Sequence, residues 1–216
     1  MKKLVIFDLD GTLLDTVKDL AACVNYALET RGCPTHDIDA YKHFVGNGIN
    51  NLLKRASPEN MRTEEDIQLM RELFIPYYAE HDMDYTRPYD GIPQLLEQLQ
   101  DKGVKLAVAS NKYQSATEKL VKIFFPAIKF EAVLGQREGV PVKPDPTIVF
   151  EILDSTGTGA ADTLYIGDSG VDMQTASRAG VESAGVTWGF RTEEELRENG
   201  SIHIVSNPDE ITGIVF

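Results

Sequence analysis

What this chain of 216 residues lacks narrows its function first. Cysteine is scarce: Cys23 and Cys33 stand at no metal-binding spacing, and one pair in an enzyme-sized chain is no disulfide framework, so both are expected as reduced thiols. Histidine is nearly as scarce, and His36, His43, His81 and His203 share no ligand spacing. Long hydrophobic runs are missing too. The apolar run LVIF, Leu4 to Phe7, is far too short for a signal peptide or a membrane span, so a cytoplasmic chain without a membrane partner is expected. Positive charge is in deficit: 21 Lys and Arg face 34 Asp and Glu, a formal net charge of −13. That charge repels DNA, RNA and anionic membranes alike, which argues against a nucleic-acid partner. An anionic substrate would need local positive charge from a metal, a placed lysine or helix N-termini.

What remains is an ordinary globular composition, 42% hydrophobic and 25% charged, long enough for one well-buried core and a smaller appended unit. Residues 4–7 form a short apolar run ending at Asp8, the pattern of a central strand buried on both faces of a parallel sheet. Similar strands are expected at Val104 to Ala109, Phe130 to Leu134, Thr163 to Ile166 and Ser183 to Val186, with helical segments between them. Over Ile92 to Lys102, Ile92, Leu95, Leu96 and Leu99 share one helical face, and Val149, Ile152, Leu153 and Thr156 do the same near 148–156. This alternation predicts an α/β fold with a doubly wound, Rossmann-like parallel sheet, whose strand C-termini are open to chemistry.

Residues 17–83 interrupt the alternation with three successive helical patterns and no strand. The first carries Leu20, Cys23, Val24, Ala27 and Leu28, and the second Ile49, Leu52, Leu53 and Ala56. The third runs from about Glu64 to Glu80, with a kink or break expected near Ile75 because Pro76 lies inside it. The expected organisation is therefore an α/β core of residues 1–15 and 85–216 and an all-helical cap domain of residues 16–84. Inserted directly after the first strand, it would sit over that strand's end as a lid.

Four short segments, each after an expected strand or opening an expected helix, carry the chemistry. Asp8-Leu9-Asp10-Gly11-Thr12 closes the first strand with two carboxylates two residues apart and a glycine that permits a tight turn. Ser110-Asn111 follows the second core strand, Lys143-Pro144-Asp145-Pro146 precedes a helix, and Gly167-Asp168-Ser169-Gly170-Val171-Asp172 follows the strand ending at Ile166. Singly, these read as an Asp-Gly turn, a helix cap, a solvated lysine and another turn. In this order they closely resemble the haloacid dehalogenase superfamily, over essentially the whole chain and with the helical insertion as its cap.

The resemblance implies hydrolysis of a small phosphate monoester through a phosphoaspartyl intermediate. Asp8 would attack phosphorus, and Asp10 would protonate the leaving alcohol and then activate water. Mg²⁺ would be held by the Asp8 side chain, the Asp10 backbone carbonyl and the Asp168 side chain, while Ser110, with Asn111 beside it, and Lys143 would hold the phosphoryl oxygens. Such chemistry needs in-line positioning and charge neutralisation, and hard Mg²⁺ prefers the oxygens on offer. Asp172 either contacts the metal through water or orients Lys143, in both cases from outside the ion's direct ligands. Ionised Asp8, Asp168 and Asp172 balance Mg²⁺ and Lys143, so Asp10 is expected to be protonated when a dianionic substrate binds. Thr12 is expected to be a hydrogen-bonding residue of the loop, with contact to phosphate as the alternative for its hydroxyl. Dehalogenases lack an acid two residues after the nucleophile and ion-pumping ATPases place threonine there, so Asp10 points to a phosphatase or a phosphomutase.

The turn Val45-Gly46-Asn47-Gly48-Ile49 looks like the corresponding stretch in phosphoglycolate phosphatases. Viewed alone it is either a glycine-rich connection or a set of N–H groups at a helix N-terminus, with Gly46 and Asn47 meeting the carboxylate of the substrate. Lys54 and Arg55 read as surface residues that could help. The expected partner is a small phosphorylated metabolite, foremost 2-phosphoglycolate. The alternatives are a sugar phosphomutase of the β-phosphoglucomutase type, or a phosphatase for sugar phosphates or pyrophosphate. A binding protein without turnover is disfavoured by the intact Asp8, Asp10, Lys143 and Asp168 set.

Overall fold

The computed structural model describes all 216 residues. Its strands are β1 (Leu4–Phe7), β2 (Leu14–Asp15), β3 (Arg87–Pro88), β4 (Lys105–Tyr113), β5 (Phe130–Gln136), β6 (Thr163–Gly167), β7 (Glu182–Val186) and β8 (His203–Val205). Six form a parallel sheet in the order β5-β4-β1-β6-β7-β8. The first strand is thus central, between β4 and β6. Alternation along β1 sends Val5 and Phe7 to one face, where they pack with Ile92, Leu95 and Leu99 of α5 (Ile92–Asp101) and Leu120 of α6 (Gln114–Phe124). Leu4 and Ile6 face the other side, against Val149 and Ile152 of α7 (Thr147–Thr156) and Ala176 of α8 (Gly170–Ala179). A strand buried on both faces has no room for polar residues until it ends, so the first carboxylate comes at Asp8.

The five expected strands and the two striped helices are present, with ends shifted by a few residues. The largest shift is in β4, which runs on through Ser110, Asn111 and Lys112 to Tyr113 with a register irregularity after Ala109. Unforeseen are β8 and α10 (Glu210–Val215), both too short to show a period. The acidic segment after Thr192 forms α9 (Glu193–Glu198), and the Thr192 hydroxyl accepts from Glu195 N.

The insertion lies between β2 and β3, which pair antiparallel as a two-residue ribbon at its base. Asp19, buried there, accepts from the backbone N–H groups of Tyr85 and Thr86 and from the Thr86 hydroxyl, joining the outgoing and returning chain. Four α-helices fill it: α1 (Val17–Thr30), α2 (Ile38–Phe44), α3 (Ile49–Ala56) and α4 (Glu64–His81). The helix missing from the sequence reading is α2, whose only buried residue is Tyr41; one residue makes no stripe. Of the kink or break expected near Ile75, the break does not occur. The α4 helix is continuous, and both Pro76 and Glu72, whose carbonyl loses its partner, are exposed, so water can serve that carbonyl. The insertion has its own apolar cluster, including Val24 and Leu28, Leu52 and Leu53, and Phe74 and Tyr78, which meets the core at Ala116 and Phe190. No helix of the chain is long and apolar enough to cross a membrane.

Candidate active site

The C-terminal ends of β1, β4 and β6 lie side by side, and Lys143, from the segment before α7, reaches them. Asp8 follows β1; its N–H donates to the Ile166 carbonyl at 2.9 Å, which continues the sheet by one residue. Its Oδ1 accepts from Leu9 N at 2.7 Å and lies 2.9 Å from the Lys143 ammonium, while Oδ2 has no protein donor. Lys143 is 2% exposed and donates to the Ala109 carbonyl (2.9 Å), the Tyr165 hydroxyl (3.1 Å) and Asp172 Oδ1 (2.7 Å). Asp172 Oδ2 accepts from the backbone and hydroxyl of Ser169, so both its oxygens already have protein partners.

Asp168 is held by Phe190 N, which donates to its Oδ2 at 2.7 Å. Glycines make room for it. Gly11 has φ +86°, and a Cβ there, or on Gly189, would overlap the Asp168 carboxylate. Oxygens of Asp8, Asp168 and Asp172 all lie within 4.8 Å of one another, and all three residues are buried. Burial, then the charge of Asp172, pushes the Asp8 carboxyl up to about 7 against the pull of Lys143. Burial and the charges of Asp172 and Asp8 likewise raise Asp168 well above the carboxylate range. Burial would lower Lys143, but Asp172 and Asp8 outweigh it and hold the ammonium well above the ordinary lysine value. Three crowded carboxylates with one ammonium leave negative charge uncompensated, and an all-oxygen donor set of this kind suits a hard divalent cation.

Asp10 faces a partner that sequence reasoning missed. The Lys112 ammonium lies 2.9 and 3.0 Å from its two oxygens, and the Thr16 hydroxyl donates to Oδ1 at 2.7 Å. Lys112 is inside β4, and extended chain repeats its direction every two residues, so a lysine two after Ser110 was the available signal. It adds a second buried ammonium to the charge balance: four carboxylates, two ammonium groups and one divalent cation sum to zero before a dianionic substrate arrives.

Ser110 is 2% exposed and its hydroxyl accepts from Lys112 N. The Asn111 side chain is held within the protein, although the residue borders the cavity that opens over the site. Its Oδ1 accepts from Lys143 N at 2.8 Å, and its Nδ2 donates to the carbonyls of Lys143 (3.0 Å) and Gly46 (2.9 Å), because the strand end, the lysine loop and the insertion meet there. Thr12 departs from the loop role expected of it: its buried hydroxyl has no partner, although its carbonyl accepts from Trp188 Nε1.

A cavity of about 50 Å³ opens over these groups, lined by Asp8, Asp10, Ser110, Asn111, Lys112 and Tyr113 from the core. Leu20, Val45, Gly46, Gly48, Ile49, Leu52, Phe74 and Tyr78 close it from the insertion. Asn47 does not line it, so the turn reaches the cavity through its two glycines, both at positive φ. Lys54 does not line it either, and Arg55 donates to the His43 and Phe44 carbonyls at the end of α2. From the core, Arg191 donates to the Val45 carbonyl at 2.7 Å and fastens the same turn.

Comparison with known proteins agrees with this geometry. The haloacid dehalogenase-like hydrolase family matches residues 5–186. A phosphoglycolate phosphatase of Aquifex aeolicus is 34% identical over 188 residues, covering 87% of this chain and 86% of the relative. Another, from Mesorhizobium japonicum, is 30% identical over 98% of this chain and 93% of its own length. A crystal structure of a candidate phosphoglycolate phosphatase from Lactobacillus delbrueckii subsp. bulgaricus has a TM-score of 0.93 at 34% identity, covering 100% of this chain and 99% of that one. The chain belongs to the haloacid dehalogenase-like hydrolase family, as one of its phosphatases.

Proposed function

We propose that this phosphatase hydrolyses 2-phosphoglycolate, with Asp8 as nucleophile and Mg²⁺ as cofactor, and that the helical insertion acts as its cap. The observation that carries the mechanism is the setting of Asp8. One oxygen is held by Leu9 N and Lys143, the other is free of protein donors, and the residue borders a cavity shared with Asp10 and Ser110. The free oxygen attacks phosphorus as the bond to the ester oxygen breaks, and Asp10 supplies the proton that the leaving alkoxide needs. Water then attacks the phosphoaspartate while Asp10 takes its proton, releasing inorganic phosphate and restoring Asp8. The Lys143 ammonium and the Ser110 hydroxyl hold phosphoryl oxygens as charge builds on them. Asp172 and Asn111 keep Lys143 in place by its ammonium and its backbone.

The carboxylates of Asp8 and Asp168 and the Asp10 backbone carbonyl would hold Mg²⁺, with Asp172 orienting Lys143 beside them. When bound, the ion neutralises phosphoryl charge and helps align the attacking and leaving oxygens. The small cavity and the relatives named phosphoglycolate phosphatase support the substrate. The test is phosphate release, with and without Mg²⁺, from 2-phosphoglycolate, β-glucose 1-phosphate, pyrophosphate and an aryl phosphate. The highest kcat/KM is expected for 2-phosphoglycolate with Mg²⁺. A sugar phosphate in first place would overturn the substrate, and full turnover in chelator would overturn the metal.

A further inference from the structure

Two buried polar groups in the cavity have no part in the phosphoryl chemistry. Lys112, its side chain 4% exposed, spends two of its three N–H bonds on Asp10, and its ammonium lies 4.9 Å from the centre of the Tyr78 ring. Tyr78 comes from α4 of the insertion, is 1% exposed, and its hydroxyl has no hydrogen-bond partner. An unpaired buried hydroxyl is unfavourable until something accepts from it. Burial, and the charge of Asp10 after it, raise the phenol well above its ordinary pKa, so it remains a donor. The other side chains that the insertion sends into the cavity, among them Leu20, Ile49, Leu52 and Phe74, are apolar.

We propose that Lys112 and Tyr78 recognise a carboxylate borne by the leaving group, and that this carboxylate replaces Asp10 on the Lys112 ammonium. The inference rests on the reading of the cavity as a phosphatase site, and it names the class of substrate: monoesters of small hydroxy acids. In such an ester the carboxylate is one carbon from the oxygen that Asp10 must protonate. Since Lys112 already touches Asp10, a carboxylate in that position lies within its reach. The exchange trades one ion pair for another and leaves Asp10 with the Thr16 hydroxyl. An ester with an uncharged leaving group has nothing to exchange, so Asp10 stays paired. Recognition thereby falls to a core lysine and a cap tyrosine, not to the N-terminus of α3.

The test compares 2-phosphoglycolate with ethyl phosphate, which has the same number of carbons and no carboxylate. For Lys112→Met, kcat/KM is expected to fall roughly 10- to 100-fold further on 2-phosphoglycolate than on ethyl phosphate. Tyr78→Phe is expected to raise KM for 2-phosphoglycolate about fivefold, with kcat nearly constant and ethyl phosphate little affected. Glycolate should inhibit the wild type and lose affinity in both variants, a binding readout that a merely structural role would not move. Circular dichroism checks folding, and Tyr78→Phe alone decides the matter if Lys112→Met does not fold. Equal losses on both esters, or no loss, would overturn the proposal. If the wild type prefers another substrate to 2-phosphoglycolate, the substrate reading fails separately. The subsite is then judged on 2-phosphoglycerate and phospholactate: a preference for either over ethyl phosphate that Lys112→Met abolishes supports it, and its absence overturns it.

Discussion

The two ends of the cavity are built on opposite principles. At the Asp8 end every side-chain oxygen and nitrogen of Lys143, Asp172 and Asn111 has a partner, and the groups surround the strand ends of a sheet packed on both faces. At the other end the wall is a layer of helices with its own apolar cluster, one unpaired hydroxyl and a lysine borrowed from β4. Preorganised donors cost no rearrangement during reaction, so rigidity belongs where charge develops. Selection among leaving groups needs a surface that can vary independently of the sheet, and an insertion between β2 and β3 provides one.

Breaking the rigid end should have the largest effects. Asp8→Asn keeps the volume but removes the attacking carboxylate, and phosphate release should fall on the order of 10⁴-fold or more with the fold intact by circular dichroism. Near-normal turnover would end the phosphoaspartyl mechanism. Excess chelator should abolish activity, Mg²⁺ should restore it, and Ca²⁺ should restore it poorly because it prefers more ligands and longer bonds. Lys143→Ala leaves Asp8 and Asp172 buried without their counter-ion. We expect kcat to fall about 10²- to 10³-fold, and stability in denaturant titration to fall by about 3–5 kcal/mol. A change in KM alone would remove the transition-state role and leave Lys143 as a buried counter-ion of Asp8 and Asp172.

Perturbing the junction and the insertion should do less. Gly46 has φ +117°, its carbonyl accepts from Asn111, and a Cβ there would come only as near as 3.8 Å to Arg191. Gly46→Val therefore strains the turn that seats the insertion, and kcat/KM should fall about tenfold on 2-phosphoglycolate and ethyl phosphate alike. A loss confined to 2-phosphoglycolate would move carboxylate recognition back to the α3 N-terminus. The smallest effect concerns Cys23, fully buried in the insertion, whose thiol is pushed up to about 12 by burial and then by Asp19. At pH 8 it should stay neutral and resist iodoacetamide while Cys33, partly exposed, reacts. Equal rates would show that the insertion opens far more readily than its packing implies.

How much was legible can be traced residue by residue. Asp8, Asp10, Asp168 and Lys143 could be read because each stands directly after a buried strand or before a helix, where the hydrophobic period stops and polar residues begin. Asn111 was legible as a position but not as a role, since its amide partners, Lys143 and Gly46, come from two other segments. The α2 helix escaped because it buries a single side chain, and the continuity of α4 through Pro76 because it depends on which face meets water.

The sequence by itself determined the parallel sheet, the place of the insertion and the carboxylates at the strand ends, because periodicity and local spacing encode which residues are buried and where each element stops. Only the tertiary structure decided who meets whom across the cavity: Lys112 on Asp10, Arg191 on the Val45 carbonyl, and Tyr78 with no partner at all. Those pairings join segments some 100 to 150 residues apart. They depend on how the strand ends meet in the sheet and on how the insertion settles on the core, which residue spacing alone does not specify.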